Sequence, residues 1–235
     1  MRSRKFARGK EPVLVLCEGE HDRELLTELL KRRDIGGIEV WSNETISGHS
    51  GNGAFGRALD ALAGGAIGET RAIVVVTDCD SDADKSFAAI QQQIRDTTRI
   101  EGPPTRCYPV PDHPNECAEG NPAIAVILIP GAGRCGALET LCLDVAHRAA
   151  PRLADCVAAF ADCADVGSWE SENKRDKMRF RSLIAAGSAG NPELSPARFW
   201  SDGPGHELVP LTDAAFDPIA EFLTGLSARF RLAAP

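Results

Sequence analysis

Residues 72–84 read AIVVVTDCDSDAD. The run 72–76 is apolar and β-branched, the pattern of a strand buried on both faces. It stops abruptly in alternating aspartates, Asp78, Asp80, Asp82 and Asp84. A buried strand thus delivers carboxylates to its own C-terminal end, where like charges raise each other's pKa and repel. A hard divalent cation with oxygen ligands resolves that conflict. The arrangement occurs once before: residues 12–17, PVLVLC, run straight into Glu18-Gly19-Glu20-His21-Asp22. Two strand ends with two acidic clusters define one candidate metal site.

Working outward, residues 21–33 carry apolar pairs at helical spacing and a basic last turn, which suits a helix end. A short strand is expected at 38–42, then a Gly/Ser/Asn-rich loop, ISGHSGNGAFG at 46–56, whose residues 51–56 read as a mobile loop over the site rather than a cofactor cradle. Helices are expected at about 54–63 and at 83–97, and a short strand at 106–110. Residues 111–122 are polar and proline-rich and read as loop. Residues 123–129, AIAVILI, form a third buried strand, followed after Pro130-Gly131-Ala132-Gly133 by a helix over 136–148. Strands apolar at every position, alternating with helices, argue an α/β fold: a mostly parallel sheet covered by helices on both faces. In such folds ligands bind at the C-terminal ends of the strands, where every acidic cluster of this chain falls. From Pro151 the pattern turns helical, at about 152–164, 174–186 and 216–229. The expected organisation is a basic arm at 1–11, an α/β domain at 12–150, and a mainly helical C-terminal extension at 151–235 packed on it.

Composition excludes several classes. The chain has 235 residues, 43% of them hydrophobic and 26% charged, which is ordinary globular composition rather than that of a disordered chain. It has no apolar run of the length a membrane helix needs and no apolar segment behind its basic N-terminus of the kind a signal peptide carries, so a cytoplasmic protein without a membrane partner is expected. Its 8 cysteines include no CxxC pair. Reduced thiols are expected, with Cys17, Cys79 and Cys142 serving as small hydrophobes, and Cys107, His113, Cys117 and Cys135 match no usual zinc spacing. The net charge of −8 gives no overall field for a polyanion. Local basic patches remain, at the arm and at 174–181, KRDKMRFR.

The two motifs, LVLCEGEHD and VVVTDCDSD, each behind a buried strand, form strand–Glu-Gly-x-x-Asp followed by strand–Asp-x-Asp. This resembles the Toprim fold over roughly residues 12–148, and in particular small stand-alone Toprim-like proteins of unassigned function and the Toprim part of OLD-family nucleases. The resemblance implies a metal-ligand or general acid/base role for Glu18, a metal-holding pair in Asp78 and Asp80, and a further acid in Asp22, with Mg²⁺ or Mn²⁺ as the ion. The chemistry of the residues agrees: i and i+2 on a strand point to one side, so Asp78 and Asp80 are expected to converge, and carboxylates suit Mg²⁺. In IPGAGRCGALETL, Glu139 resembles a Gly-x-x-Glu element of the same relatives and is a further candidate ligand. A weaker resemblance covers the C-terminal part, with its Lys-x-x-Lys stretch at 174–177 and Phe216-Asp217-Pro218 before a last helix. OLD-type nucleases place a functional lysine after the Toprim acids, which points to Lys177, with Lys174 second, as a phosphate contact. Structural readings stand beside these. Glu18 and Glu139 suit a helix N-terminus, Asp78 and Asp80 suit caps and turns, and the lysines suit a solvated face. Asp82 is expected to cap the next helix with Asp84 in its first turn, Glu20 to be a solvated acid, and His21 to lie at the surface.

The function implied is Mg²⁺/Mn²⁺-dependent, nuclease-type hydrolysis of phosphodiesters, with Glu18 and Lys177 catalytic and nucleic acid, DNA ahead of RNA, as the partner. The alternatives are a non-catalytic Toprim-fold module that binds nucleic acid or protein, and phosphoryl or nucleotidyl transfer on a nucleotide. There is no GxxxxGK[ST] motif, so an ATPase, if needed, comes from a separate protein; a homo-oligomer is left open. The sole tyrosine, Tyr108, falls inside the Toprim-like segment, which argues against the strand passage of topoisomerases.

Overall fold

The structure, a computed structural model, describes residues 9–97, 108–131 and 133–232. Its strands are β1 (Val13–Cys17), β2 (Ile38–Ser42), β3 (Ala72–Asp78), β4 (Cys117–Ala118) and β5 (Ala123–Ile129). They form one sheet in the order β2-β1-β3-β5-β4. All pairs are parallel except β4 with β5. Val13 stands opposite both Ile38 and Ala72, and Ala72 opposite Ala123. The C-terminal ends of β1, β3 and β5 therefore lie side by side. From β1 the chain moves outward to β2, then crosses back to β3 and on to β5. The crevice between β1 and β3 is thus the switch point at which such sheets bind ligands.

Alternation of side chains splits the strands between two cores. Val13, Val15, Cys17, Val74, Val76, Ala125 and Ile127 face one side, with α1 (Glu20–Arg32) and α5 (Leu138–Ala149) packed on them. Leu14, Leu16, Ile73, Val75, Ile124 and Val126 face the other, under α3 (Phe55–Ala61) and α4 (Ala83–Arg95), where Phe55, Leu59, Phe87, Ile90 and Ile94 close the core. Full burial of such side chains contributes about 1.5–3 kcal/mol each, enough to fix both register and faces.

The C-terminal helices do not form a core of their own. α6 (Pro151–Cys163), α7 (Glu172–Gly187), α8 (Phe199–Asp202), α9 (Gly205–Leu208) and α10 (Asp217–Leu232) send Val157, Phe180, Leu183, Trp200, Leu208 and Leu223 into or against the cluster that also holds α1 and α5. Two polar locks tie them down. Buried Glu24 of α1 accepts from the backbone N–H of Phe199 (3.1 Å) and of Ser201 (3.0 Å) and from the Ser201 hydroxyl (2.7 Å), satisfying two of the open N–H groups of α8. Arg33 donates to the carbonyls of Leu211 and Asp213 (both 3.0 Å) and to Asp217 Oδ1 (2.7 Å) at the start of α10.

Two short elements differ from the sequence expectation. β4 lies within residues 111–122, read as loop; two residues are too few for a period to show. α2 (Asn43–Ser47) precedes the glycine-rich loop, with Ser42 Oγ accepting from Thr45 N–H at 3.2 Å as its cap. The strand expected at 106–110 falls partly outside the described residues, and 108–110 carry no strand. Residues 1–8 of the basic arm also lie outside them. Among the described residues, no helix is long and apolar enough to cross a membrane.

Candidate metal and phosphate site

Glu18 leaves the end of β1 and reaches across the switch point to β3. Its Oε1 accepts from the Thr77 hydroxyl (2.6 Å) and from the Asp78 backbone N–H (3.2 Å). Asp78 in turn directs Oδ1 at the Leu138 N–H (3.0 Å), the first residue of α5. The acids thus stitch together the ends of β1 and β3 and the helix that follows β5. The second oxygens, Glu18 Oε2 and Asp78 Oδ2, accept no hydrogen bond among the described residues. Burial first, then the charges of Glu18, Asp22 and Glu139, hold the Asp78 carboxyl well above its ordinary pKa, against the opposing pull of Lys177. Glu18 is also raised, by burial foremost and by Asp22 and Asp80, with the Thr77 hydroxyl opposing. The electrostatic conflict read from the sequence is present in the fold.

Asp22 and Glu139 border the same crevice. Asp22 Oδ2 accepts from Gly19 N–H at 2.9 Å, closing the first turn of α1. Burial raises its pKa, with His21 pulling the other way and Glu139 adding to the rise. Glu139, buried in the first turn of α5, faces His21 Nδ1 at 3.6 Å. Burial pushes Glu139 up, but His21 and Lys177 outweigh it, and the carboxyl sits below its ordinary value. His21 does not lie at the surface as expected. Its side chain is 17% exposed, and its ring stacks on Phe180 (5.4 Å) and Trp200 (5.8 Å). The cause is the C-terminal extension, whose aromatic residues cover the start of α1. Glu20 is not merely solvated either: it accepts from Arg23 Nε at 2.7 Å and from the hydroxyls of Ser42 and Thr45.

Asp80 behaves differently from Asp78. The strand stops at Asp78, and Asp80 adopts a left-handed backbone (φ 51°) while its carbonyl accepts from Gly136 N–H at 2.7 Å. Gly136 itself has φ 130°, and a Cβ there would meet Thr140 Oγ1 at 2.6 Å, so the bridge requires glycine. The same-side geometry of a continuing strand therefore does not govern this pair. Asp80 Oδ1 accepts from Asn173 Nδ2 (2.5 Å) and Oδ2 faces Asn52 Nδ2 (3.5 Å). Asp82 caps α4 through Lys85 N–H (3.0 Å), with Asp84 in the first turn, as expected.

The basic stretch arrives through α7, which docks its first turns on the acidic edge. Asn173 holds Asp80, and buried Asp176 accepts from the Thr140 hydroxyl (2.7 Å) and from Arg179 (3.3 Å). Lys177 follows on the adjacent face. Partial burial lowers its pKa, but Glu139, Asp78, Glu18 and Asp22 more than compensate, and the net shift is upward. The glycine-rich loop does lie over the site and is tied down: Gly51 N–H donates to Glu18 O (3.3 Å), Asn43 to Gly51 O (3.1 Å), and Gln93 to Asn52 O (2.8 Å). Sequence reasoning missed Asn52, Asn173 and Asp176. Thr77 carried the one readable signal, as the only hydroxyl in an apolar strand directly before the acids.

Among the described residues, no three His, Cys, Asp or Glu side chains are gathered tightly enough to form a ready metal centre. The donor chemistry nonetheless fits a hard divalent ion: the facing groups are carboxylates, and Glu18 and Asp78 each keep an oxygen without a protein partner among the described residues. Glu139 and Asp22 stand in the same field, while Asp80 is occupied by two asparagines. No curated protein and no solved structure matches the chain. A protein family matches residues 12–197, a span that takes in the sheet, every acid of this site and Lys177. Over that span the chain belongs to the family described as "Protein of unknown function (DUF3226)".

Proposed function

We propose that this protein is a Mg²⁺/Mn²⁺-dependent phosphodiester-cleaving enzyme on a Toprim-like α/β domain, acting on nucleic acid with DNA ahead of RNA. One observation carries the reading: Glu18 and Asp78 are crowded at the β1/β3 switch point, with raised pKa values and unpartnered second oxygens among the described residues, and Lys177 stands in their field from another helix. A divalent ion held by Glu18 and Asp78, with Glu139 in support, would supply water activation and charge neutralisation on the phosphodiester. Glu18, whose carboxyl burial raises above its ordinary pKa, is the candidate to accept a proton. Lys177 would bind a phosphate oxygen and offset its developing charge. Thr77 and the Leu138 N–H fix the two carboxylates so that little reorganisation is needed.

The test is Mn²⁺-dependent nicking of supercoiled plasmid by pure protein, beside the Glu18→Gln, Asp78→Asn double variant checked for folding by its melting curve. Activity in the wild type, lost in a folded double variant, is the expected result. Equal nicking by both would sink the proposal. A second reading, a non-catalytic binding module that uses its acids structurally, is favoured by Asp80, whose oxygens are both engaged, and by the missing three-ligand cluster among the described residues. Titration calorimetry with MnCl₂ separates the two: heat of binding without any nicking supports the module.

A further inference from the structure

Beyond the acidic crevice, one face of α7 borders a groove of about 520 Å³ lined by Trp169, Lys174, Lys177, Met178 and Arg181, among others. None of its lining residues is acidic, in a chain of net charge −8. At about 100° per residue, positions 174, 177, 178 and 181 share one stripe of the helix, opposite buried Asp176, Phe180 and Leu183. Lys177 lies at the edge of that stripe, where it also feels the carboxylates of the crevice.

Trp169 completes the groove. It is 43% exposed, whereas Trp41 and Trp200 are 9% and 2% exposed. Its ring is thus open to a stacking partner, as those of the other two are not. It is also held in place. The turn Val166–Ser168 is anchored by buried Val166. Trp169 N–H donates to Val166 O at 3.1 Å. Arg175 Nη1 donates to the carbonyls of Gly167 (3.1 Å) and Trp169 (3.0 Å). An exposed aromatic ring on a pinned backbone, beside a row of cations, is the arrangement that binds unpaired nucleotides, the base stacking on the ring and the phosphates meeting the cations.

We propose that this groove holds single-stranded nucleic acid, with one base stacked on Trp169 and the backbone passing Lys174 and Arg181 to bring a phosphate to Lys177. The proposal rests on the phosphodiester reading above and adds to it the substrate class: an unpaired strand or a frayed end in preference to intact duplex. A stacked base requires an open π-face, which a paired base within a duplex does not offer.

The test is binding in EDTA, where no cleavage is needed, with a dT₁₂ oligonucleotide and a blunt 12-base-pair duplex as probes. Trp169 is the accessible tryptophan among the three, so intrinsic fluorescence reports its stacking. Saturable quenching by dT₁₂ and weaker binding of the duplex are expected. Trp169→Leu should abolish the quenching and weaken dT₁₂ binding about 5- to 160-fold, with Trp169→Phe recovering most of the affinity. Lys174→Ser with Arg181→Ser should flatten the salt dependence by about 1.4 in the log–log slope. No dT₁₂ binding, equal binding of duplex, or unchanged affinity in Trp169→Leu overturns the proposal. So does shielding of Trp169 by a concentration-dependent dimer that excludes dT₁₂. Plasmid nicking that persists undiminished in Trp169→Leu overturns the groove while leaving the metal-site reading standing; equal nicking by the wild type and the Glu18→Gln, Asp78→Asn variant, with dT₁₂ binding intact, does the reverse.

Discussion

Replacing Asp78 by asparagine should stabilise the metal-free protein, and should do so in a pH-dependent way. The side chain keeps its shape, and the amide oxygen can still accept from Leu138 N–H as Oδ1 does at 3.0 Å. What disappears is a charge that burial and the neighbouring carboxylates of Glu18, Asp22 and Glu139 disfavour. Because the folded pKa lies above the unfolded one, the folded protein binds more protons between the two values. Stability of the wild type therefore falls as pH rises through that window, and the full penalty stands above the folded pKa. Each tenfold difference in proton affinity between the folded and unfolded chain is worth about 1.4 kcal/mol, and each kcal/mol moves Tm by about 2–4 °C in a chain of this size. In EDTA at pH 8 the variant should melt several degrees above the wild type, and the gap should close towards pH 3.5. Mn²⁺ narrows the gap: at ten times its Kd it stabilises the wild type by about 1.4 kcal/mol and leaves the variant largely unmoved. Thermal melts across pH, with EDTA and with MnCl₂, read both effects. A variant that melts at or below the wild type in EDTA at pH 8 would refute the claim that this carboxylate is held under strain.

Lys177→Met removes the cation facing the same acids; since the residue is exposed, solvent screening limits the cost to about 0.5–1 kcal/mol at pH 8 and low salt, shrinking in urea melts at pH 4 as the acids protonate. Glu24→Ala leaves two backbone N–H groups and the Ser201 hydroxyl without their acceptor, and should lower stability by about 2–3 kcal/mol in urea titrations while the α/β sheet signal is retained in circular dichroism. Asp82→Ala, which removes the α4 cap and an exposed ion pair to Lys85, should lower Tm slightly and leave Mn²⁺ binding unchanged by calorimetry. Thiol titration should modify exposed Cys135, Cys156 and Cys163 rapidly, while buried Cys17, Cys79 and Cys142, whose thiols burial pushes up (Cys79 to about 11), react only on unfolding.

The parallel sheet was legible because three of its strands, β1, β3 and β5, carry long apolar runs, a pattern that burial on both faces explains, and because each of those runs ends sharply in carboxylates or in Pro-Gly. The pairing of Glu18 with Asp78 followed from strand ends alone, since parallel strands in register must bring their C-terminal residues together. Asp80 was not legible: its left-handed turn depends on a bridge to Gly136, and its partners come from residues 52 and 173, far away in sequence. His21 was misplaced for the same reason. Its burial is created by Phe180 and Trp200, which local periodicity around residue 21 cannot reveal. Nor could composition indicate Trp169, because its exposure beside three cations depends on how the turn before α7 is pinned by Arg175. The boundary placed near residue 150 has a similar origin: the pattern changes from strand–helix to helix there, yet α7 and α8 complete the core on one face of the sheet. The C-terminal helices therefore have a chemical consequence as well as a packing one. Asn173 takes Asp80 out of the group of free carboxylates, Lys177 adds a cation to those that remain, and Phe180 with Trp200 sets the ring of His21 against Glu139. Strand ends alone supply a crowded set of acids; it is the extension that sorts them into those already engaged and those left to meet a cation.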